Sequence, residues 1–291
     1  MNGGIRCVFC GTSTAELPAA DSTQIRSSVR EFGAETFTVW RCAKCGSLHA
    51  KEPIDYDRYY RHYWLKHQNY DSIAKVMLRK RIEILERAGL ERGVTLLDYG
   101  CGSGHFVRYA REHGVRAEGY DPYSEGFGDA SVLDSRYDFV TTQDVFEHVD
   151  DPCALLNDLK GYTAPGGCMA IGTPNADVID PHDPLDLAPL HQPYHRHIPS
   201  AAELQRMASE GGWQVVKFHK STYADTRVPF VNSAFLCRYL KSSGGFLDVG
   251  FDPLRTQLNH LLAHPSLIFW GLFGSFFSRK TDVVVVACAP A

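Results

Sequence analysis

The sequence has no apolar run approaching the roughly 18 residues that suggest a membrane span. Residues 1–6 lack the apolar stretch that a secretory leader needs. There is no lysine/arginine block, and the formal net charge is −4, which speaks against a nucleic-acid partner. A cytoplasmic location is the expectation. At 291 residues, 44 % hydrophobic and 22 % charged, the chain suits one large domain, or one domain with an accessory module, around a full core.

The most informative stretch is also defined partly by what it lacks. Residues 94–107 read V-T-L-L-D-Y-G-C-G-S-G-H-F-V: a buried strand, a glycine-rich turn and the start of a helix. Glycines let the chain turn sharply and let a ligand approach where a Cβ would block it. No Gly-Lys-Ser/Thr closes the turn, so it is not a phosphate-cradling P-loop. A dinucleotide fingerprint begun at Gly100 would need glycine where His105 stands. What remains is Asp98-x-Gly100-x-Gly102-x-Gly104. A second short strand, residues 115–120, ends at Asp121. An acid about 20 residues past the loop is placed to accept hydrogen bonds from ribose hydroxyls.

This pattern resembles the first motif of the class I S-adenosylmethionine (SAM) methyltransferases. The fold class it implies is a doubly wound, Rossmann-like α/β sheet with an antiparallel last strand. The resemblance continues through the next strand (137–142), Gln143-Asp144-Val145-Phe146-Glu147-His148, the turn Pro165-Gly166-Gly167 and a strand at 168–172. Together these look like the core of the ubiquinone-pathway O-methyltransferases, over residues 90–222, with Asp144 where that pattern carries its first Glu. The implied cofactor is SAM, with Asp98, Gly100, Gly102 and Gly104 at its methionine end, Asp121 at its ribose and Gln143 beside it.

Four of the nine cysteines form two C-x-x-C pairs, Cys7/Cys10 and Cys42/Cys45, separated by 31 residues. Two such knuckles supply four thiolates for a closed, structural Zn²⁺ site. Disulfides are disfavoured in a reducing cytosol, and redox chemistry lacks its βαβ context. The other cysteines (101, 153, 168, 237, 288) read as buried fillers. A double knuckle ahead of such a core resembles methyltransferases of sugar and polysaccharide biosynthesis.

The expected organisation is a zinc ribbon over 1–50, an aromatic flap and N-terminal helix over 51–90, the SAM-binding domain over 91–222 with 281–291, and a helical insertion over 223–280. In the flap, Tyr59, Tyr60, Tyr63 or Trp64 could line the pocket or simply pack on the main domain. Between 121 and 137 the third strand is either reduced to a stub or limited to 130–133, with Asp134 a candidate adenine contact. Residues 181–197 read as a long polar loop over the carboxyl ends of the strands, whose histidines (His182, His191, His195, His197) are candidates for substrate or metal contact, though each taken singly is expected to be solvated. Ser200 and Glu203 form a capping box for the next helix. Residues 267–277 are apolar but too short to span a bilayer; a core helix, a homodimer surface and a membrane-surface contact stay open.

The implied reaction is methyl transfer from SAM to an oxygen, or less favourably a carbon, of a small hydroxylated acceptor, first of all a sugar nucleotide or glycan. An RNA substrate and a non-catalytic SAM-binding scaffold are the rivals. If the segment after the fourth strand is helical, Asp144, Glu147 and His148 share one face. In related methyltransferases a similar acid-x-x-Glu-His pattern holds a divalent cation such as Mg²⁺ with a later histidine, here His191, His195 or His197. Without metal, His148 could be a general base, or Glu147 and His148 could merely orient the loop.

Overall fold

The computed structural model describes residues 5–14, 21–60, 69–220 and 222–290. The N-terminal module begins with the paired strands β1 (Ile5–Arg6) and β2 (Ser13–Thr14). An antiparallel ribbon follows, built from β3 (Ser22–Arg26), β4 (Thr36–Arg41) and β5 (Leu48–Ala50). A short helix, α1 (Tyr56–Tyr60), leads to the described start of α2 (Ser72–Glu86). The Asp71 carboxylate caps α2 by accepting from the Ala74 N–H at 2.9 Å.

The glycine-rich turn lies where the sequence puts it, between β6 (Thr95–Tyr99) and α3 (His105–Glu112). Next come β7 (Arg116–Tyr120), β8 (Tyr137–Gln143), α4 (Pro152–Tyr162) and β9 (Thr163–Pro174). Pro152 opens α4 behind an Asp151 cap, as a first-turn proline should. Beyond β9 lie α5 (Leu187–Leu190), β10 (His197–Ile198), α6 (Ala201–Ser209) and β11 (Gln214–His219). The Ser200 hydroxyl accepts from the Glu203 N–H and caps α6, but the expected capping box is only half made: the Glu203 carboxylate turns to Arg206, and the Ser200 N–H donates to the Ser47 hydroxyl. The insertion carries α7 (Ser233–Ser242), α8 (Leu254–Ala263) and α9 (Ser266–Phe273), and the chain returns through β12 (Asp282–Cys288).

The main sheet runs β11-β12-β9-β8-β6-β7. The four strands from β9 to β7 are parallel, and β12 is antiparallel to both its neighbours. This is the expected doubly wound sheet, less one strand. No strand forms between β7 and β8; residues Ala130–Asp134 make a 3₁₀ turn instead. The Tyr137 hydroxyl donates to the Val132 carbonyl at 2.7 Å, holding that turn near β7. Asp134 ends the turn exposed to solvent.

Two other expectations need correction. Residues 189–200 are buried throughout, so His191, His195 and His197 are not solvated, whereas His182 is exposed as expected. The loop's strand β10 pairs with β5, His197 opposite His49 and Ile198 opposite Leu48, and the ribbon therefore covers it. Cys168 and Cys288 are not fillers either. They face each other across β9 and β12, with Cα atoms 4.0 Å apart, and are joined as a disulfide.

One core joins the ribbon to the sheet. Phe9, Trp40 and Cys42 share it with Phe146, Leu159, Met169 and Val285. On the other face, α2 and α3 pack Ile82, Leu85, Phe106 and Ala110 against Leu96, Phe139 and Val286. Among the described residues, no helix is long and apolar enough to cross a membrane.

Candidate active site

The chain leaves β6 at Tyr99, and the N–H groups of Gly100 and Cys101 donate to the Tyr120 carbonyl at 2.7 and 3.2 Å. This fastens the loop to the end of β7. Gly100, Gly102 and Gly104 all take left-handed φ values, +74°, +53° and +71°, a region open to glycine at little cost. The three differ in what lies before them. A Cβ at Gly100 would collide with Val145, and one at Gly104 with the Phe127 ring; at Gly102 it would meet open space. Gly102 is thus where a ligand can come against the backbone. Asp121 accepts from the Gly102 N–H at 3.0 Å and from the Tyr123 N–H at 2.8 Å. The acid at the end of β7 therefore braces the loop itself, using one lone pair on each oxygen and leaving acceptor capacity.

Asp98 is buried beneath the loop, its Oδ1 2.5 Å from Arg81 Nη2 of α2. Burial pushes its carboxyl up, while Arg81 pulls it back. The guanidinium lies 3.8 Å from the centre of the Phe106 ring. Sequence reading missed Arg81, because a cation within a helical pattern carries no sign that it faces inward. Gln143 closes β8 and donates to Asp144 Oδ1 at 2.9 Å.

At Asp144 the chain does not enter a helix. Its φ is +56°, and residues 146–148 form a turn. Asp144 therefore does not share a face with Glu147 and His148. It accepts instead from the Tyr223 hydroxyl at 2.6 Å, at the root of the insertion. The group that does converge is Glu147, His148 and His195, with one ligand-capable atom from each, all within 4.8 Å of one another. Glu147 Oε1 lies 3.6 Å from His195 Nε2 and 3.9 Å from His148 Nε2. Its Oε2 accepts from the Thr173 hydroxyl at 2.9 Å. His195 Nδ1 is 2.6 Å from the Pro189 carbonyl. A carbonyl only accepts, so Nδ1 carries the proton and Nε2 turns a lone pair toward Glu147.

Burial dominates the electrostatics. It holds the Glu147 carboxyl well above the usual carboxylate range, with the Asp144 charge adding to the effect. It pulls His195 down to about 4 and His148 well below the ordinary histidine value. Two neutral imidazoles thus face a carboxyl that resists ionisation, a set that would suit a proton or a cation at its centre.

The flap divides its tyrosines. The Tyr60 hydroxyl is 2.9 Å from His148 Nδ1, and the Tyr56 hydroxyl donates to the His148 carbonyl at 3.1 Å. Tyr59 instead packs with Phe32, Phe37 and Tyr194. Tyr63 and Trp64 lie outside the described residues. Of the other loop histidines, His191 has its ring 5.0 Å from that of His195, His182 is exposed, and His197 turns toward the ribbon.

In the ribbon, Cys7 and Cys45 Sγ are 3.6 Å apart, as are Cys10 and Cys42 Sγ, and all four sulfurs lie within 4.8 Å of one another. Tetrahedral zinc with bonds of about 2.3 Å would set its sulfurs about 3.8 Å apart, so this donor set fits that ion. The knuckles are alike: Gly11 N–H donates to the Cys7 carbonyl and Gly46 N–H to that of Cys42, both glycines with positive φ. His49 Nε2 lies 3.2 Å from Cys7 Sγ and its Nδ1 3.0 Å from His197 Nδ1.

Residues 51–217 match the family model described as "Methyltransferase domain". The chain is 26 % identical over 158 residues to the ubiquinone biosynthesis O-methyltransferase of Aeromonas salmonicida, a match covering 44 % of this chain and 66 % of that one. It is also 26 % identical over 188 residues to the O-methyltransferase rstn1 of Aspergillus nomiae, covering 54 % and 80 %. Among solved structures, a Haemonchus contortus phosphoethanolamine N-methyltransferase 2 with S-adenosyl-L-methionine superposes with a TM-score of 0.47 at 14 % identity, over 84 % of this chain and 62 % of that one. The chain thus spans just under two thirds of the length of the Aeromonas enzyme.

Replacing Arg81 with methionine would leave Asp98 buried without its cation. The expected cost is about 3–5 kcal/mol, read as a lower urea midpoint. The double variant Arg81→Met/Asp98→Asn should recover part of that loss.

Proposed function

Because the chain belongs to the methyltransferase-domain family, we propose that it transfers a methyl group from SAM to an oxygen of a small hydroxylated acceptor. The cofactor supplies an electrophilic methyl group when bound. The protein's share is to align an in-line attack and remove one proton from the acceptor. Gly102 offers the open backbone for close approach, and Asp121 has lone pairs left for ribose hydroxyls. Arg81 and Asp98 together give the loop's base a fixed charge pattern.

The observation that carries the reading is the convergence of Glu147, His148 and His195 just past the carboxyl end of β8. Open α/β sheets bind ligands at this end of their strands. One carboxylate and two imidazoles suit a divalent metal. A cation held there would lower the pKa of a neighbouring hydroxyl. The second reading assigns proton removal to His148 alone, whose Nδ1 lies 2.9 Å from the Tyr60 hydroxyl; burial keeps this imidazole neutral but also lowers its basicity. A hydroxyl-rich acceptor, a sugar nucleotide or glycan, is our assignment, and the cysteine set is assigned to one structural zinc. The net charge of −4 weighs against RNA.

The reaction is tested by turnover of labelled SAM with sugar nucleotides, glycans and RNA. Transfer to RNA alone would overturn the acceptor class. In calorimetry with S-adenosylhomocysteine, Asp121→Ala should lose about 1.5–3 kcal/mol for each ribose hydrogen bond removed, and Gly102→Val should bind weakly or not at all. Unchanged affinity in both would remove the cofactor assignment.

The cation and base readings separate by chelation. Under the first, EDTA abolishes turnover and Mg²⁺ or Mn²⁺ restores it. Under the second, EDTA has no effect and His148→Ala slows the reaction about 10²–10⁴-fold. Normal turnover in both His148→Ala and Glu147→Ala would sink both. Metal analysis should find one zinc per chain, and Cys42→Ser should lower both zinc content and melting temperature. Full zinc occupancy in that variant would show the ligand set to be wrong.

A further inference from the structure

The insertion presents an unusual surface. Among the described residues, ten of the seventeen exposed large hydrophobic side chains lie between Phe251 and Phe277. On α8, Leu254, Leu258 and Leu262 stand at i, i+4 and i+8, one stripe of the helix, and Leu254 and Leu262 are 70 % and 75 % exposed. The opposite side of α8 faces the protein: the Gln257 amide donates to the Asp252 carbonyl and His260 meets Ser242 of α7. In α9, Leu267 and Gly271 are buried, while Phe269, Leu272 and Phe273 are exposed. The following 3₁₀ turn, Gly274–Phe277, leaves Phe276 81 % exposed. Scattered surface leucines need no explanation, but ten exposed apolar side chains between Phe251 and Phe277 do.

The charge pattern identifies the partner. Residues 256–278 contain no Asp, Glu, Lys or Arg. Arg255 stands at one end and Lys280 at the other, beside Arg279, which is taken up by Asp186 and Asp183. Over residues 223–280 there are six basic and three acidic side chains, in a chain whose net charge is −4. Asp248 and Asp252 are taken up by Arg30. Arg227, Lys241, Arg255 and Lys280 are exposed. A two-fold contact with a second copy would set this cationic rim against itself. An anionic bilayer would complement it while taking up the leucines and phenylalanines. α8 and α9, ten and eight residues long and separated by Pro265, are far short of the roughly 20 needed to span.

We propose that α8, α9 and the turn Gly274–Phe277 dock this protein on the surface of an anionic lipid bilayer. The helices lie in the interface with their apolar faces among the acyl chains. Arg255 and Lys280 meet the headgroups. The inference is independent of the reaction catalysed, because it rests only on the surface of the insertion.

The test is co-sedimentation of the full chain with phosphatidylcholine vesicles made with and without phosphatidylglycerol. The wild type should pellet with the anionic vesicles and stay largely in solution with the neutral ones. Leu262→Glu/Phe276→Glu should weaken partition tenfold or more at an unchanged melting temperature. Arg255→Glu/Lys280→Glu should cost roughly tenfold or more on anionic vesicles and little on neutral ones. Should the first variant fail to fold, the second still decides. Failure of the wild type to pellet with either vesicle overturns the proposal, as does binding that neither variant changes. A dimer in sedimentation velocity that Phe276→Glu converts to monomer would assign the face to a second copy instead.

Discussion

The carbonyl of Glu147 is the joint on which the site depends. It accepts from two successive backbone donors, Arg196 N–H at 2.7 Å and His197 N–H at 3.1 Å. Through it, the turn after β8 is locked to the histidine loop, and His195 comes to lie opposite the Glu147 side chain. The same short segment is β10, the strand added to the ribbon through its pairing with β5. Ribbon, loop and turn therefore share one set of backbone hydrogen bonds, and buried amides leave little freedom to break it. Phe9 stacks near Phe146, with ring centroids 6.3 Å apart, so side-chain packing follows the same route.

The ribbon is thus part of the site's frame. His49 stands between Cys7 Sγ and His197 Nδ1. If the Cys7 sulfur is a thiolate, it can only accept, so His49 must donate through Nε2 and receive from His197 through Nδ1. The protonation of a cysteine in the first knuckle then fixes the tautomers of two rings, the second of which lies two residues from His195.

What was legible in the sequence was local. The glycine loop and the Pro152 and Ser200 helix starts each rest on neighbours a few residues apart, and physical rules of turns and caps read them directly, whereas the antiparallel last strand came with the family resemblance. What escaped depended on distant partners. Residues 189–200 look polar enough for solvent, yet they are covered by β5, whose His49 pairs with His197 from far earlier in the chain. Asp144 invites a helical reading, and only a left-handed backbone turn sends it to Tyr223. Cys168 and Cys288 meet through the register of β9 and β12, which spacing cannot supply. Arg81 becomes an active-site neighbour only because α2 packs over Asp98.

With no third strand formed, β7 is the border of the sheet among the described residues. An unpaired strand edge is a template for another chain to add on, and a truncated fold of this kind would be expected to clump. Here the border carries Arg116 and Glu118, both exposed, and the Glu118 carboxylate lies 2.8 Å from the Tyr137 hydroxyl, which it shares with the Val132 carbonyl. The 3₁₀ turn Ala130–Asp134 stands in for the lost strand near the same edge. Charge and a local plug therefore shield this edge, as a neighbouring strand does in the longer version of the fold.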